Sequence, residues 1–311
     1  MSKINYSIII PHKNIPNLLQ RCLDSIPRRD DIQIIVVDDN SDIDKVDFER
    51  FPGNGEPCVE VFFTKEGKGA GYARNVGLTH AKGRWLLFAD ADDFFTENII
   101  YLFNKYVNSD DDIIYFPIMS VFCDTLAVSD REGYVNQTIQ KALDLNNLDI
   151  VKFQRLEPWA KIISSNLVFS NSIVFDETVA ANDLMFSVRI AAMARNVTID
   201  KMKGYCLVAR KGSLTYTISN SVCDAKFEVI INVNKFLINI GKSEYRINIF
   251  PHLRNYFYLG MGKFTQKAFF LMLRGYYPYI MIDFFFSIIQ FSKLMMFKKN
   301  RSRLIKVNRA K

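Results

Sequence analysis

Three carboxylates crowd four positions at Asp90, Asp92 and Asp93, directly after the apolar run Trp85–Ala89. A run of that length and composition is a buried strand. A core strand that opens onto clustered acids is costly unless a cation meets them. In an open α/β sheet, ligands bind at the carboxyl ends of the strands. Asp90 and Asp92, separated by the small Ala91, can both be presented there, and a hard divalent cation shared with substrate phosphates suits such donors. A second apolar run, Ile32–Val37, also ends in acid, at Asp38, Asp39 and Asp42. Two acidic strand ends on one sheet edge point to a polar ligand. The plainer reading of Asp93, or of Thr96, is a cap for a helix near Glu97–Val107.

Other candidate residues flank these acids. Gly67, Gly69 and Gly71 precede a helix and could bring backbone amides to a phosphate, although the spacing matches neither a Walker loop nor G-x-G-x-x-G. Arg74 and Asn75 sit one turn into that helix, where a cation opposes the helix dipole unless an anion neutralises it. Trp159 is either a core anchor or a wall for a sugar ring. Asn182 or Asp183 caps a helix running to Arg195, and an Asp facing a cleft there could instead serve as a general base. Arg210–Ser213 forms a basic turn able to hold phosphate.

The elements that must position these groups alternate. Tyr6–Ile10, Ile32–Val37, Val59–Phe63, Trp85–Ala89 and Ile113–Phe116 read as strands. Helices fall between them, the first capped by Asn14 before Pro16 and closed by Pro27. Tyr72–Ala81 is the next helix. Unbroken apolar strands alternating with helices mean a mainly parallel sheet covered on both faces. Further on, Val121–Val128 reads as an edge strand, Asn136–Val151 as a helix, Glu157–Lys161 as a loop, Tyr205–Ala209 as a strand and Val229–Ile240 as a helix.

The chain has 311 residues, 26 of them Phe, and a net charge of +7. Seven Lys/Arg and no acid lie between Lys298 and Lys311, so the rest of the chain is close to neutral. Five cysteines without a C-x-x-C pair argue against a disulfide framework or zinc site and fit a reducing compartment. The opening residues lead directly into a strand, with no signal-peptide pattern. Gly275–Phe297 is rich in Phe, Ile and Met. Asp283, Ser287, Gln290 and Lys293 recur there as one narrow polar stripe, so the segment is expected to lie in a membrane interface rather than cross it, with the basic tail preferring anionic lipid. A helix packed on the protein or on a second copy is the competing reading. Nothing beside the tail forms a basic groove with interleaved aromatics, so nucleic acid is not expected as a partner.

With these residues in order, the chain resembles a family-2 inverting glycosyltransferase of the GT-A fold, over roughly residues 4–215. Ser7–Pro11 with Asn14 resembles the opening strand. Val36-Val37-Asp38-Asp39-Asn40-Ser41 resembles the V-D-D-x-S turn, and Phe88–Asp93 the D-x-D motif. Ala73-Arg74-Asn75 with Gly77, Ala81 and Gly83 resembles the helix before that motif. Trp159-Ala160-Lys161 and Asn182-Asp183 resemble the acceptor-side W-x-K and E-D elements, and Arg210 with Ser213 the late R-x-x-S turn. His12-Lys13 replaces the usual aliphatic–Tyr pair, and Asn182 stands where Glu is common.

The resemblance implies an α/β GT-A domain over 1–220 and a helical C-terminal region over 221–311. Residues 1–117 would be the nucleotide-sugar half and 118–220 the acceptor half. It implies a nucleotide-diphosphate sugar donor, most often a UDP-sugar, contacted by Pro11, Asp38, Asp39, Arg74, Asn75, Asp90, Ala91, Arg210 and Ser213. Asp92, with Asp90, would bind Mn2+ or Mg2+. Asp183 would be the catalytic base, with Trp159, Lys161 and Asn182 on the acceptor side. The acceptor would be a saccharide or lipid-linked saccharide at the cytoplasmic face of a bacterial membrane, in capsule or lipopolysaccharide assembly. The sequence leaves a homo-oligomer open. Two rival functions remain: a sugar-1-phosphate nucleotidyltransferase and a non-catalytic sugar-nucleotide scaffold.

Overall fold

The computed structural model describes residues 3–210, 219–273, 281, 283 and 284. Among them, ten strands form two sheets. The larger has the order β3-β2-β1-β4-β8-β6-β9. Its strands are β1 (Tyr6–His12), β2 (Ile32–Asp39), β3 (Val59–Thr64), β4 (Trp85–Phe88), β6 (Ile113–Tyr115), β8 (Lys161–Ser164) and β9 (Val197–Ile199). β1 runs parallel to both β2 and β4, so the acidic ends of β2 and β4 flank the end of β1 on one sheet edge. That is the convergence expected from the two apolar runs. Within β1, only Tyr6–Ile9 pair with β4. Pro11 lies past that ladder, where a strand residue without an N–H is tolerated.

The apolar strands are continuous because both faces of the sheet are covered. Ile8, Ile10, Ile34, Val36 and Leu87 pack with α1 (Pro16–Asp24) and α3 (Asn98–Tyr106). Ile9, Ile35, Val37, Leu86 and Phe88 pack with α2 (Ala70–His80), α5 (Leu148–Gln154), α6 (Ser165–Ser170) and α7 (Leu184–Met193). The smaller sheet, β5 (Phe94–Phe95), β10 (Tyr205–Ala209) and β7 (Ile118–Phe122), braces the turn after β4.

Several local expectations need correction. Asn14 does not cap α1: it sits at φ +61 and its amide pairs reciprocally with Asp42. The helix starts at Pro16, whose fixed φ suits a first turn, and closes at Asp24, before Pro27, with Ser25 folding back on the Cys22 carbonyl. The helix read over Asn136–Val151 is two, α4 (Gly133–Asp144) and α5. Asn147 breaks it by capping α5 through the Asp149 N–H at 3.0 Å. The edge strand is shifted to β7, with Val128 only bridging back to Val121. Lys161 opens β8, which enters the sheet antiparallel between β4 and β6 rather than lying in a loop.

The chain divides into two units, Met1–Thr217 with Phe236–Tyr245, and Ile218–Lys235 with Arg246–Lys311. The stretch 236–245 thus groups with the first unit, not with a C-terminal region. The second unit contains most of α8 (Asn220–Asn239), then α9 (Phe250–Leu259) and α10 (Met261–Leu273). Asp283, expected on a solvent-facing stripe, is buried and accepts the Ile249 N–H at 2.9 Å, which satisfies an orphan donor at the start of α9. The rest of the expected interfacial stripe and the basic tail lie outside the described residues.

At Gly71 in α2 an added Cβ would stand 2.1 Å from the Asp176 carbonyl oxygen and 2.9 Å from Asn182 Cβ. The helix therefore meets the 176–182 segment backbone to backbone. Gly71→Ala is expected to lower stability by about 1–3 kcal/mol, read as a lower urea midpoint. A midpoint equal to the parent's would show that the 176–182 segment gives way freely.

Candidate active site

At the end of β2, Asp38 is buried and internally saturated. One oxygen lies 2.7 Å from His12 Nδ1 and accepts the Ser41 hydroxyl at 2.5 Å, and the other accepts the Ser41 N–H at 2.9 Å. His12 Nε2 accepts the Ile15 N–H at 3.1 Å, which leaves Nδ1 as the protonated nitrogen facing Asp38. Burial alone would raise the Asp38 carboxyl, but the His12 and Ser41 hydrogen bonds outweigh it and hold the group below the usual range. Asp39 differs. Its Oδ2 accepts the Gly69 N–H at 2.9 Å and lies 3.6 Å from Lys13 Nζ, while its buried Oδ1 has no hydrogen-bond partner among the described residues. Gly69, at φ +94, adopts a conformation that favours glycine and so places its N–H on that acid. Of the two acids expected on the donor, Asp39 has the oxygen to offer.

Asp90, Asp92 and Asp93 bring carboxylate oxygens within 4.8 Å of one another. Each has a different partner. Arg74, buried on α2, donates to Asp90 at 2.6 Å and, through its other terminal nitrogen, to Asn182 at 3.0 Å. Arg210, at the end of β10, holds Asp92 at 2.5 Å. Asp93 is buried and accepts the Tyr205 hydroxyl at 2.8 Å and the Val208 N–H at 2.7 Å. Neither Asp93 nor Thr96 caps α3, whose cap position is Glu97. Burial first, then repulsion from Asp90 and Asp92, pushes the Asp93 carboxyl well above its ordinary value. Burial likewise raises Asp90, with Asp92 adding to it and Arg74 opposing.

These residues fit a hard divalent cation. The repulsion between neighbouring carboxylates is what such an ion relieves, and carboxylate oxygens are its preferred donors. Asp90 and Asp92 are the half-buried pair that can reach it. Asp93 is committed to β10.

Tyr205 joins this cluster together. Its hydroxyl donates to Asp93 and accepts the Asp90 N–H at 3.0 Å. Trp159 stacks on its ring, with centroids 5.5 Å apart and planes inclined by 8°. Trp159 therefore supports the acid turn from one face. Tyr205→Phe leaves the Asp90 N–H unpaired and removes a donor from Asp93. It is expected to cost about 1–3 kcal/mol of stability, and a denaturation midpoint matching the parent's would show that the phenol holds nothing.

Asp183 occupies the cap position of α7, but its side chain makes no capping hydrogen bond. Burial raises its carboxyl above the ordinary range, with Asp90 and Glu157 adding and Arg74 opposing. A half-buried carboxylate of raised basicity, not tied to its helix, is equipped to accept a proton.

Two expected site residues hold backbone groups of neighbouring segments. Asn75 clamps both backbone groups of Phe175, at 2.8 and 3.0 Å, and so pins the segment that leads to Asp183. Lys161 is buried beneath the Arg155 and Glu157 carbonyls, and burial pushes its ammonium down to about 7. Asn182 faces Arg74. Pro11 and Ala91 are buried at the strand ends, and Ser213 lies outside the described residues. His12, noticed in the sequence only as a departure from the family pattern, holds Asp38; two contributors were missed, Tyr205 and Arg21, whose guanidinium donates to the Asp92 carbonyl at 2.8 Å. Its neighbours Cys22 and Leu23 lie in the core, and nothing in the sequence marks Arg21 as reaching across to another strand end.

The model of the family "Glycosyl transferase family 2" matches residues 7–165. Glycosyltransferase GlyA of Streptococcus pneumoniae serotype 4 is 23% identical over 264 residues, 76% of this chain and 35% of that protein. The poly(ribitol-phosphate) beta-glucosyltransferase of Bacillus spizizenii is 27% identical over 222 residues, 66% of this chain and 32% of that protein. The chain thus spans about a third of the length of these two relatives. Among solved structures, S. aureus TarS 1–349 in complex with UDP-GlcNAc superposes with a TM-score of 0.62 at 19% identity, covering 90% of this chain and 79% of that one. That likeness is one of fold, the GT-A arrangement that the family resemblance implied.

Proposed function

The chain belongs to glycosyl transferase family 2, and from that premise we propose that it transfers a sugar from a nucleotide-diphosphate donor, a UDP-sugar, to a saccharide or lipid-linked acceptor, with inversion. The observation that carries this is Arg74. One guanidinium joins Asp90, at the end of β4, to Asn182, the neighbour of Asp183 at the start of α7. The turn that carries Asp90 and Asp92 and the segment that carries Asp183 are thus tied through one guanidinium, which supports the fixed geometry that a single displacement requires.

In this reading the unpartnered Oδ1 of Asp39 accepts a polar hydrogen from the base or ribose. Asp90 and Asp92 would hold Mn2+ or Mg2+, which when bound stabilises the charge developing on the departing diphosphate. Arg210 adds positive charge at the same edge. Asp183 takes the proton from the acceptor hydroxyl as that oxygen attacks the anomeric carbon from the face opposite the leaving group. Two relatives are named as poly(ribitol-phosphate) glycosyltransferases, which supports synthesis of a cell-surface polymer as the setting in this reading. There the enzyme works peripherally on the inner face of the cytoplasmic membrane.

Calorimetric titration with UDP, GDP, ADP and CDP tests the donor class. UDP is expected to bind at least about tenfold more tightly than the others, because one base-edge acceptor discriminates by about 1–3 kcal/mol. Equal affinity for all four would remove Asp39 from base recognition, and binding of none would contradict the reading.

A further inference from the structure

Helices α9 and α10 carry large apolar side chains that nothing among the described residues covers. On α9, Arg254, Phe257 and Tyr258 share one exposed face at helical spacing, and Met261 follows past Gly260. On α10, Phe269, Met272 and Leu273 repeat the pattern. All six apolar residues are more than half exposed, Leu273 by 72%. The opposite side of the same helices is anchored by buried Leu253, Tyr256 and Leu271. Scattered exposed apolar residues need no explanation, but repeated large ones on adjacent helices mark a contact surface.

Charge identifies what the surface meets. Residues 246–311 contain thirteen Lys/Arg and one acid, Asp283, and that acid is buried against the start of α9. α9 and α10 contain no acid; Lys267 pairs with Asp224 of α8 at 2.7 Å and Lys263 donates to Asn220 at 2.5 Å, while Arg254 lies on the exposed apolar face itself. A second copy of this chain would set like charge against like charge. An anionic lipid surface complements both features, the aromatic and methionine side chains entering the acyl boundary and the cations meeting the headgroups. No described helix is long and apolar enough to cross a membrane.

We propose that the exposed apolar face of α9 and α10 docks the protein on an anionic lipid surface. The inference rests on the peripheral placement given above but not on the transfer chemistry. The full chain is sedimented with vesicles of phosphatidylcholine alone or mixed with phosphatidylglycerol. Binding is expected to the mixed vesicles only and to weaken as salt rises. Phe269→Glu with Leu273→Glu should lower the partition coefficient at least about tenfold, and Phe257→Glu alone should lower it measurably. A helical circular-dichroism signal and a cooperative urea transition matching the parent's verify that each variant is folded. Undiminished sedimentation of folded variants would overturn the proposal while leaving the transfer reading intact. So would a concentration-dependent dimer, dissolved by the same substitutions, in a protein that ignores both vesicle types. If instead the parent binds vesicles through this face but binds no nucleotide, the docking surface stands and the transfer reading fails.

Discussion

Replacing Asp183 by Asn lowers sugar transfer by about 10²–10⁴-fold and leaves donor affinity at the parent's level. The amide keeps the shape of the side chain and cannot accept the acceptor's proton. Donor contacts are on the other side of Arg74, which still has Asp90 and Asn182 as partners. The pH dependence carries the same signature. Asp183 must be deprotonated to act, and burial raises its carboxyl. Activity is therefore complete above that raised value and falls as pH drops through it, so the acid limb lies above the ordinary carboxylate range. In Asp183→Asn the limb disappears along with the rate. Transfer at the parent's rate would take Asp183 out of the reaction.

Replacing Asp92 by Ala has the second large effect. A cation on the leaving diphosphate is worth several kcal/mol, so loss of a ligand carboxylate is expected to reduce turnover by at least about 10²-fold. The substitution also frees Arg210 from its 2.5 Å ion pair, and that guanidinium can then meet the diphosphate directly. Calorimetry is thus expected to show nucleotide binding that no longer responds to Mn2+ but persists without it. A Mn2+ response equal to the parent's would place the ion elsewhere.

Much of this arrangement was legible in the chain itself. The unbroken runs Ile8–Ile10, Ile32–Val37 and Trp85–Phe88 had to be strands covered on both faces, and their acidic ends had to converge because parallel strands share one carboxyl edge. What sequence patterns do not encode is which partner a buried polar group will find. Lys161 and Asn75 sit inside motif-like stretches, yet their side chains hold backbone carbonyls of neighbouring segments. Asp38 and Asp39 are adjacent and chemically identical. Only the placement of His12, Ser41 and Gly69 determines that one is saturated and the other has an oxygen to offer. The short antiparallel strand β8 was missed for a related reason: four residues beginning with a lysine carry no clear period-two signal, and pairing with β4 and β6 makes the strand.

The most direct measurement is nucleotide release from a panel of UDP-sugars by the purified protein with Mn2+, followed as slow donor hydrolysis before any acceptor is supplied. The expected result is release from one donor above the rest, dependent on the divalent ion and abolished in Asp92→Ala. Release that ignores the ion and survives Asp92→Ala, or pyrophosphate formed instead from a nucleoside triphosphate and a sugar phosphate, would contradict transfer at the Asp90–Asp92 edge.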